Sequence, residues 1–372
     1  MKNVIDRAKE NNSEYKIATF RTKQGMDYDF KIAYAEVRAR EFYEHPEING
    51  NCYVAVGGLD SITLLLFLRS IGIDVPAVSV SVLEDISIQQ IHKELGVEAL
   101  KPLKSKAEVI REFGWPVLSK EIAKKISLLQ NPSEKNATVR HAIITGETGE
   151  YGGYRKNTRM KLSQKWLEKF GGYENEREGV NYQTPDFLVS EKCCYYLKEK
   201  PCNDYAKRTG RFPYMGLMAS EGGRRQKTLM INGCNYISPN TKRSAPFAIF
   251  SRQDLLQLAL DLGVPVPEIY GEIVRDEDGT LRTTKAQRTG CSMCGFGIHL
   301  EKRPHRFDLL WERNPKEWEL WMNRVVKRPD GSHYGWGYVL DYIGVEWRDP
   351  ENALTRASRG SEEQTSLFDS SI

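Results

Sequence analysis

No apolar run in this chain approaches the roughly 18 to 20 residues that a membrane helix needs. The opening stretch, Met1 to Asn12, is polar and has no apolar segment leading to a cleavage site. These two absences lead us to expect a cytoplasmic protein. An excess of one charge is also missing: 54 basic residues against 50 acidic ones leave a net charge of +4, too mild to imply nucleic acid by itself. There is no internal repeat. Nor is there an even set of cysteines: the chain has seven, an odd number that argues against a disulfide framework and for metal or redox use. What is present, 372 residues of which 40% are hydrophobic and 28% charged, suits one large domain or a domain with appendages.

Hydrophobic spacing predicts a helix from Asp29 to Pro46, through Phe30, Ala33, Val37 and Phe42. A short apolar strand, Cys52 to Val56, is then broken by Gly57-Gly58 and followed by a helix from Asp60 to Ser70. Val75 to Val82 reads as a second strand and Ile86 to Leu95 as a second helix, an alternation that favours a parallel sheet with crossover helices. Further helices are expected over Ala107 to Phe113, Ser119 to Gln130, Thr138 to Ile144, Glu221 to Met230 and Ser251 to Leu262. A strand is expected over Pro213 to Met218. Ser251 is the expected N-cap of the last helix and Gly263 its stop. The reading divides the chain into an N-terminal helical segment (1–48), an α/β nucleotide-binding domain (49–262), a C-terminal subdomain (263–350) and a polar tail (351–372).

The turn after the first strand carries chemistry. In Val54-Ala-Val-Gly-Gly-Leu-Asp-Ser61 two glycines between a buried strand and a helix let backbone amides approach an anion at the helix N-terminus. Ser61 can add a hydroxyl donor. Asp60 can orient a metal ion such as Mg or tie the turn together. The spacing is neither the P-loop, which needs Gly-Lys-Ser/Thr, nor the Gly-x-Gly-x-x-Gly turn, and the same residues suit a plain structural turn.

Gly57-Gly-Leu-Asp-Ser61 resembles the Ser-Gly-Gly-x-Asp-Ser loop of ATP pyrophosphatases and of the phosphoadenosine phosphosulfate reductase family, with Val56 in place of the leading Ser. Gly216-Leu-Met-Ala-Ser-Glu-Gly-Gly-Arg-Arg225 resembles that family's Gly-x-x-Ala-x-Glu-Ser-x-x-Arg segment, with Gly222 for Ser. The stretch Ser244 to Asp254 resembles a third family segment, with Phe250 for Trp. The three motifs stand in the family's order. The resemblance implies a parallel α/β sheet of the adenine nucleotide α-hydrolase type. It also implies ATP or an adenylyl sulfonucleotide held by Gly57, Gly58, Asp60, Ser61, Glu221 and Arg225, with Asp60, Ser61 and Arg225 as the catalytic set. An arginine in that motif suits bidentate recognition of phosphate or sulfate.

Cys193-Cys194 and Cys291-Ser-Met-Cys294 make four thiols in two close pairs, a count that suits 4Fe-4S or tetrahedral zinc. Adjacent cysteines rarely converge on one small ion, whereas a cuboidal cluster is wider. The pattern resembles the Cys-Cys and distant Cys-x-x-Cys of assimilatory adenylyl-sulfate reductases, which implies a 4Fe-4S cluster. Buried structural thiols are the alternative. Cys202 and Cys234 are possible substitute ligands, and His299 is read as structural. Reductases of this family attack the sulfonucleotide with a cysteine near the C-terminus, yet no cysteine follows Cys294. Such a mechanism would need Cys202 or Cys234 with a lowered pKa.

The basic run from Arg155 to Lys165, flanked by Tyr151 and Tyr154, reads as a solvated face or as an entrance for polyphosphate or nucleic acid. The tryptophans at 311, 318, 321, 336 and 347 are expected to pack a C-terminal subdomain. Gln364-Thr-Ser-Leu-Phe368 resembles the peptide by which DNA polymerases and repair proteins bind the sliding clamp, with Gln364, Leu367 and Phe368 as anchors. Two chemistries fit the whole: reduction of a sulfonucleotide, or adenylation of an acceptor followed by sulfur insertion, with nucleic acid one acceptor. The rival is a non-catalytic, DNA-associated regulatory protein that keeps the fold and docks on the clamp.

Overall fold

The computed structural model describes residues 4–148, 158–172, 174–175, 180–181 and 183–356. It divides into two compact units, each assembled from two stretches of chain: Met1–Pro102 with Lys198–Cys291, and Leu103–Leu197 with Ser292–Ile372. This differs from the serial division at 49–262 and 263–350. The helices over Ala107 to Ile144 belong to the second unit because their apolar faces, Ile110, Ile126 and Ile143, share one core with Trp336, Val339 and Leu340.

The first unit is an α/β layer structure. Its elements in order are α1 (Val4–Gln24), α2 (Tyr28–Glu44), β1 (Cys52–Ala55), α3 (Leu59–Ser70), β2 (Ala77–Ser79), α4 (Ile86–Glu94) and β3 (Glu98–Ala99). After the excursion come α5 (Lys200–Thr209), β4 (Phe212–Met215), α6 (Gly223–Asn232), β5 (Asn235–Ser238), β6 (Thr241–Ser244) and α7 (Arg252–Asp261), then a small hairpin of β7 (Ile273–Arg275) and β8 (Leu281–Thr283). The main sheet has six strands in the order β3-β2-β1-β4-β6-β5. All its pairings are parallel except β5 against β6.

Strand composition explains this placement. Cys52, Tyr53 and Val54 are all but fully buried, as a central parallel strand covered on both faces requires. Helix α3 is apolar on every side, with Leu59, Ile62, Leu64, Leu65, Phe67 and Leu68 buried, so it sits inside the layer and not at its surface. Helix α2 buries only the stripe Lys31, Ala35, Ala39 and Phe42, and Lys31 finds the Asp254 carboxylate at 2.8 Å. The second strand is shorter than Val75 to Val82. Pro76 has no N–H to continue the ladder, and a 3₁₀ turn begins at Ser81. Ser251 caps α7 in a reciprocal box with Asp254, and Gly263 follows the helix at φ +59°.

The second unit is mainly helical and packs its own core around Trp115, Phe170, Phe307 and Trp336. Trp115 and Trp336 meet edge to face at 4.7 Å. Trp318, Trp321 and Trp347 pack partly buried against that core. Among the described residues no helix is long and apolar enough to cross a membrane.

Candidate functional site

Strand order locates the site. From β1 the chain moves to β2 and β3 on one side, then returns to β4 on the other side of β1. Loops leaving β1 and β4 at their carboxyl ends therefore diverge, and ligands of open α/β sheets bind in the crevice this opens. The two strands are in register from Cys52 opposite Phe212 to Ala55 opposite Met215, so Gly216 leaves its strand at the level of Val56, one residue before Gly57. A Cβ on Gly216 would lie 3.0 Å from the Asp60 carbonyl and the Ser61 backbone. Glycine there lets the second loop lie against the N-terminus of α3.

The sequence-predicted residues Gly57, Gly58, Asp60 and Ser61 form this corner. The Ser61 hydroxyl accepts the Gly57 N–H at 2.7 Å and donates to the Gly58 carbonyl at 3.0 Å, closing the loop on itself. The Leu59 N–H donates to the Tyr270 hydroxyl at 3.1 Å, and Tyr270 in turn meets Thr289 at 2.6 Å. Two of the loop amides are thus engaged within the protein. The Gly58 N–H has no hydrogen-bond partner among the described residues.

Charge around the corner is paired. Arg252 donates through Nη1 to Asp60 at 2.5 Å and through Nη2 to the Gln287 carbonyl at 3.0 Å, while its buried Nε has no partner among the described residues. Burial pushes the Asp60 carboxyl above its ordinary range, Arg252 opposing the rise and Glu221 adding to it. Glu221 is met by Arg288 at 3.3 Å. A Mg ion at Asp60 would have to share that carboxylate with a guanidinium. On the other flank Lys198 donates to the buried Glu84 at 2.6 Å and hydrogen-bonds the Cys291 sulfur. Burial disfavours the Lys198 charge, but Cys291 and Glu84 outweigh it and hold the ammonium above the usual lysine range. Behind the loop, His92 Nε2 lies 2.8 Å from the Gly57 carbonyl. Burial lowers the His92 pKa, so the ring is held neutral.

Glu221 was expected inside a helix. It instead ends a 3₁₀ turn, Ala219–Glu221, and Gly222 breaks the backbone at φ +78° before α6 begins. A serine there would be strained, which accounts for the glycine. Arg225 lies in α6, and its side chain is outside the described residues. The guanidiniums that the structure places at the acidic pair are Arg252 and Arg288, neither singled out by sequence. Glu84, His92, Lys198, Tyr270 and Thr289 were missed too. The one signal on hand was Arg252 at the first position of a capped helix, where a charged head stays near the helix start.

None of the seven cysteines forms a disulfide. Cys291 falls in the first unit, and Cys193, Cys194 and Cys294 in the second. Among the described residues no three His, Cys, Asp or Glu side chains form a group able to hold a metal ion. Burial pushes the Cys234 thiol up to about 12 and raises Cys202 as well. The lowered pKa that a nucleophilic role for either would require is therefore reversed. His299 packs edge to face on Trp166 at 5.9 Å, in keeping with a structural residue. Residues 151–157 of the basic run, with Tyr151, Tyr154 and Arg155, lie outside the described residues, as do Gln364, Leu367 and Phe368. Lys165 sits over the Trp166 ring at 4.8 Å.

No family model and no curated protein matches the sequence. Among solved structures the chain is similar to a phosphoadenylyl-sulfate (PAPS) reductase from Candida auris in its phosphate complex, at 11% identity and a TM-score of 0.32, over 66% of this chain and 89% of that one.

Proposed function

We propose that this protein is a cytoplasmic nucleotide-utilising enzyme of the phosphoadenosine phosphosulfate reductase type, which binds ATP or an adenylyl sulfonucleotide with its phosphates at Gly57 to Ser61. The observation that carries the reading is the corner at the strand-order switch. There a helix N-terminus with an unpartnered Gly58 N–H stands beside Arg252, whose guanidinium keeps a buried Nε without a partner among the described residues. In the adenylation we favour, an acceptor oxygen attacks the α-phosphorus of ATP and pyrophosphate leaves. Arg252 and Lys198 would offset the charge that builds on the phosphoryl oxygens, and Ser61 would keep the loop closed around them. A sulfide-level sulfur donor would then attack the activated acceptor, nucleic acid being one candidate, forming the bond to sulfur as AMP leaves with the acceptor oxygen. The raised Cys202 and Cys234 thiols weigh against sulfonucleotide reduction through either of them.

The proposal includes a 4Fe-4S cluster on Cys193, Cys194, Cys291 and Cys294, supported by their two close pairs in sequence. When bound, such a cluster would supply electrons or hold sulfur. Isotope exchange between pyrophosphate and ATP tests the chemistry. Exchange supports adenylation, whereas its failure together with sulfite release from an adenylyl sulfonucleotide overturns it. Calorimetry showing no nucleotide binding, with tight binding of the sliding clamp through the tail, would select the non-catalytic rival.

A further inference from the structure

The Gly57–Gly58 peptide is gripped from behind. His92 on α4 is 1% exposed, and its ring bridges two partners: Nε2 lies 2.8 Å from the Gly57 carbonyl oxygen and Nδ1 2.9 Å from the Ser81 hydroxyl. A carbonyl can only accept, so Nε2 carries the hydrogen, and Nδ1 of a neutral ring accepts from Ser81. The tautomer is therefore set by the Gly57 carbonyl, and Ser81, at the start of the 3₁₀ turn that cuts the second strand short, anchors the other side of the ring.

Peptide geometry turns this contact into a statement about the other face of the loop. The Gly57–Gly58 peptide is trans, so the carbonyl of residue 57 and the N–H of residue 58 lie in one plane and point in opposite directions. Fixing the carbonyl fixes where the amide points. Two consecutive glycines otherwise allow the peptide to turn over, which would present a carbonyl oxygen where an anion is to be received. The neighbouring amides cannot stand in, since Gly57 donates to Ser61 and Leu59 to Tyr270.

We propose that His92 is a positioning residue: through its bond to the Gly57 carbonyl it holds the Gly58 N–H in the orientation that receives a phosphate. The inference rests on the reading of this loop as a phosphate site. It makes anion recognition depend on a buried His-Ser pair that never touches the ligand.

Calorimetry with inorganic pyrophosphate on the full chain tests it, comparing wild type, His92→Leu, His92→Gln and Ser81→Ala, each confirmed folded by circular dichroism. His92→Leu should weaken binding about tenfold, the worth of one well-made hydrogen bond. His92→Gln, whose amide can still donate to the Gly57 carbonyl, should recover most of the loss. Ser81→Ala removes the ring's second anchor, loosening its hold on the Gly57 carbonyl, and should weaken binding about two- to fivefold; it carries the test if His92→Leu does not fold. Unchanged binding in His92→Leu, or in Ser81→Ala where that variant stands in, overturns the role. So do equal losses in the Leu and Gln variants, which a merely structural histidine would give. A wild type that binds no pyrophosphate overturns the phosphate reading together with the inference, whereas wild-type binding with unaffected variants removes the inference alone.

Discussion

The Tyr270 hydroxyl accepts the Leu59 N–H at 3.1 Å, joining residues 211 positions apart. It caps the first turn of α3 where no side chain of the preceding loop does so, since the helix begins at Gly58 without a side-chain cap. The same hydroxyl explains Gly58. That residue has φ −79°, open to any amino acid, yet a Cβ there would run into the Tyr270 hydroxyl. Gly58 is thus glycine for want of space and not for backbone freedom.

A double-mutant cycle follows from this contact. Gly58→Ala should destabilise by about 2 kcal/mol through overpacking, and Tyr270→Phe by about 1 kcal/mol through the lost acceptor. In the double variant the alanine methyl meets the ring carbon at 3.5 Å and Thr289 at 3.0 Å, a much milder crowding. The two losses should therefore fall short of additive by about 1 kcal/mol in urea unfolding. Strict additivity would mean the methyl is accommodated by a shift of the loop and not limited by the hydroxyl.

Arg252→Lys separates the two roles of that guanidinium. Lysine keeps the charge but offers a point donor in place of a fork, so it cannot hold Asp60 and the Gln287 carbonyl together as Arg252 does. We expect ATP affinity, read by calorimetry, to fall about ten- to a hundredfold and the unfolding free energy in urea to change by no more than about 1 kcal/mol. Retained affinity would move phosphate recognition away from this arginine.

How much of this was legible in sequence depends on how local each feature is. The strand, the Gly57-Gly58 break and α3 are contiguous, and the change of hydrophobic period marks them. Ser251 and Gly263 mark the ends of α7 for the same reason. The two-unit division was not legible, because residues 103–197 read as more α/β chain until their apolar faces are seen to share a core with Trp336. The partners of the corner were also hidden. His92, Lys198, Arg252, Tyr270 and Arg288 come from five separate segments, and nothing periodic announces a side chain whose purpose is met only across the fold. Glu221 shows a subtler failure: helix-forming residues surround it, and only the positive φ of Gly222 reveals that the helix starts after it.

Acid should weaken the second unit through Asp308. Fully buried, it receives Arg303 Nε at 3.2 Å and Nη2 at 2.7 Å, with the His305 backbone N–H at 2.8 Å. Burial alone would raise its pKa, but the hydrogen bonds from His305 and Arg303 outweigh that and depress it. A carboxyl depressed in the folded state contributes stability that is complete above its unfolded value of about 3.9 and is lost as pH falls through the folded value. Asp308→Asn should cost about 3 kcal/mol at pH 7. Its urea curve should approach that of wild type as the pH is taken below the ordinary aspartate value and through the depressed folded one. A gap between the two proteins that is independent of pH would show that Asp308 acts by shape and not by charge.

The cysteines give the sharpest chemical prediction. Purified without oxygen, the protein should show a broad visible band near about 400 nm with about four iron and four sulfide per chain if the proposed cluster is present. Cys194→Ser and Cys294→Ser should each abolish most of it, because each removes one of four thiolates. Cys234→Ser should leave it intact, since that thiol is buried and held protonated, with its pKa pushed up to about 12. Cys52→Ser should likewise spare it, for burial pushes that thiol to about 12 as well. A colourless protein whose Cys194 and Cys294 variants are indistinguishable from wild type would leave the four residues as structural thiols and withdraw the cluster.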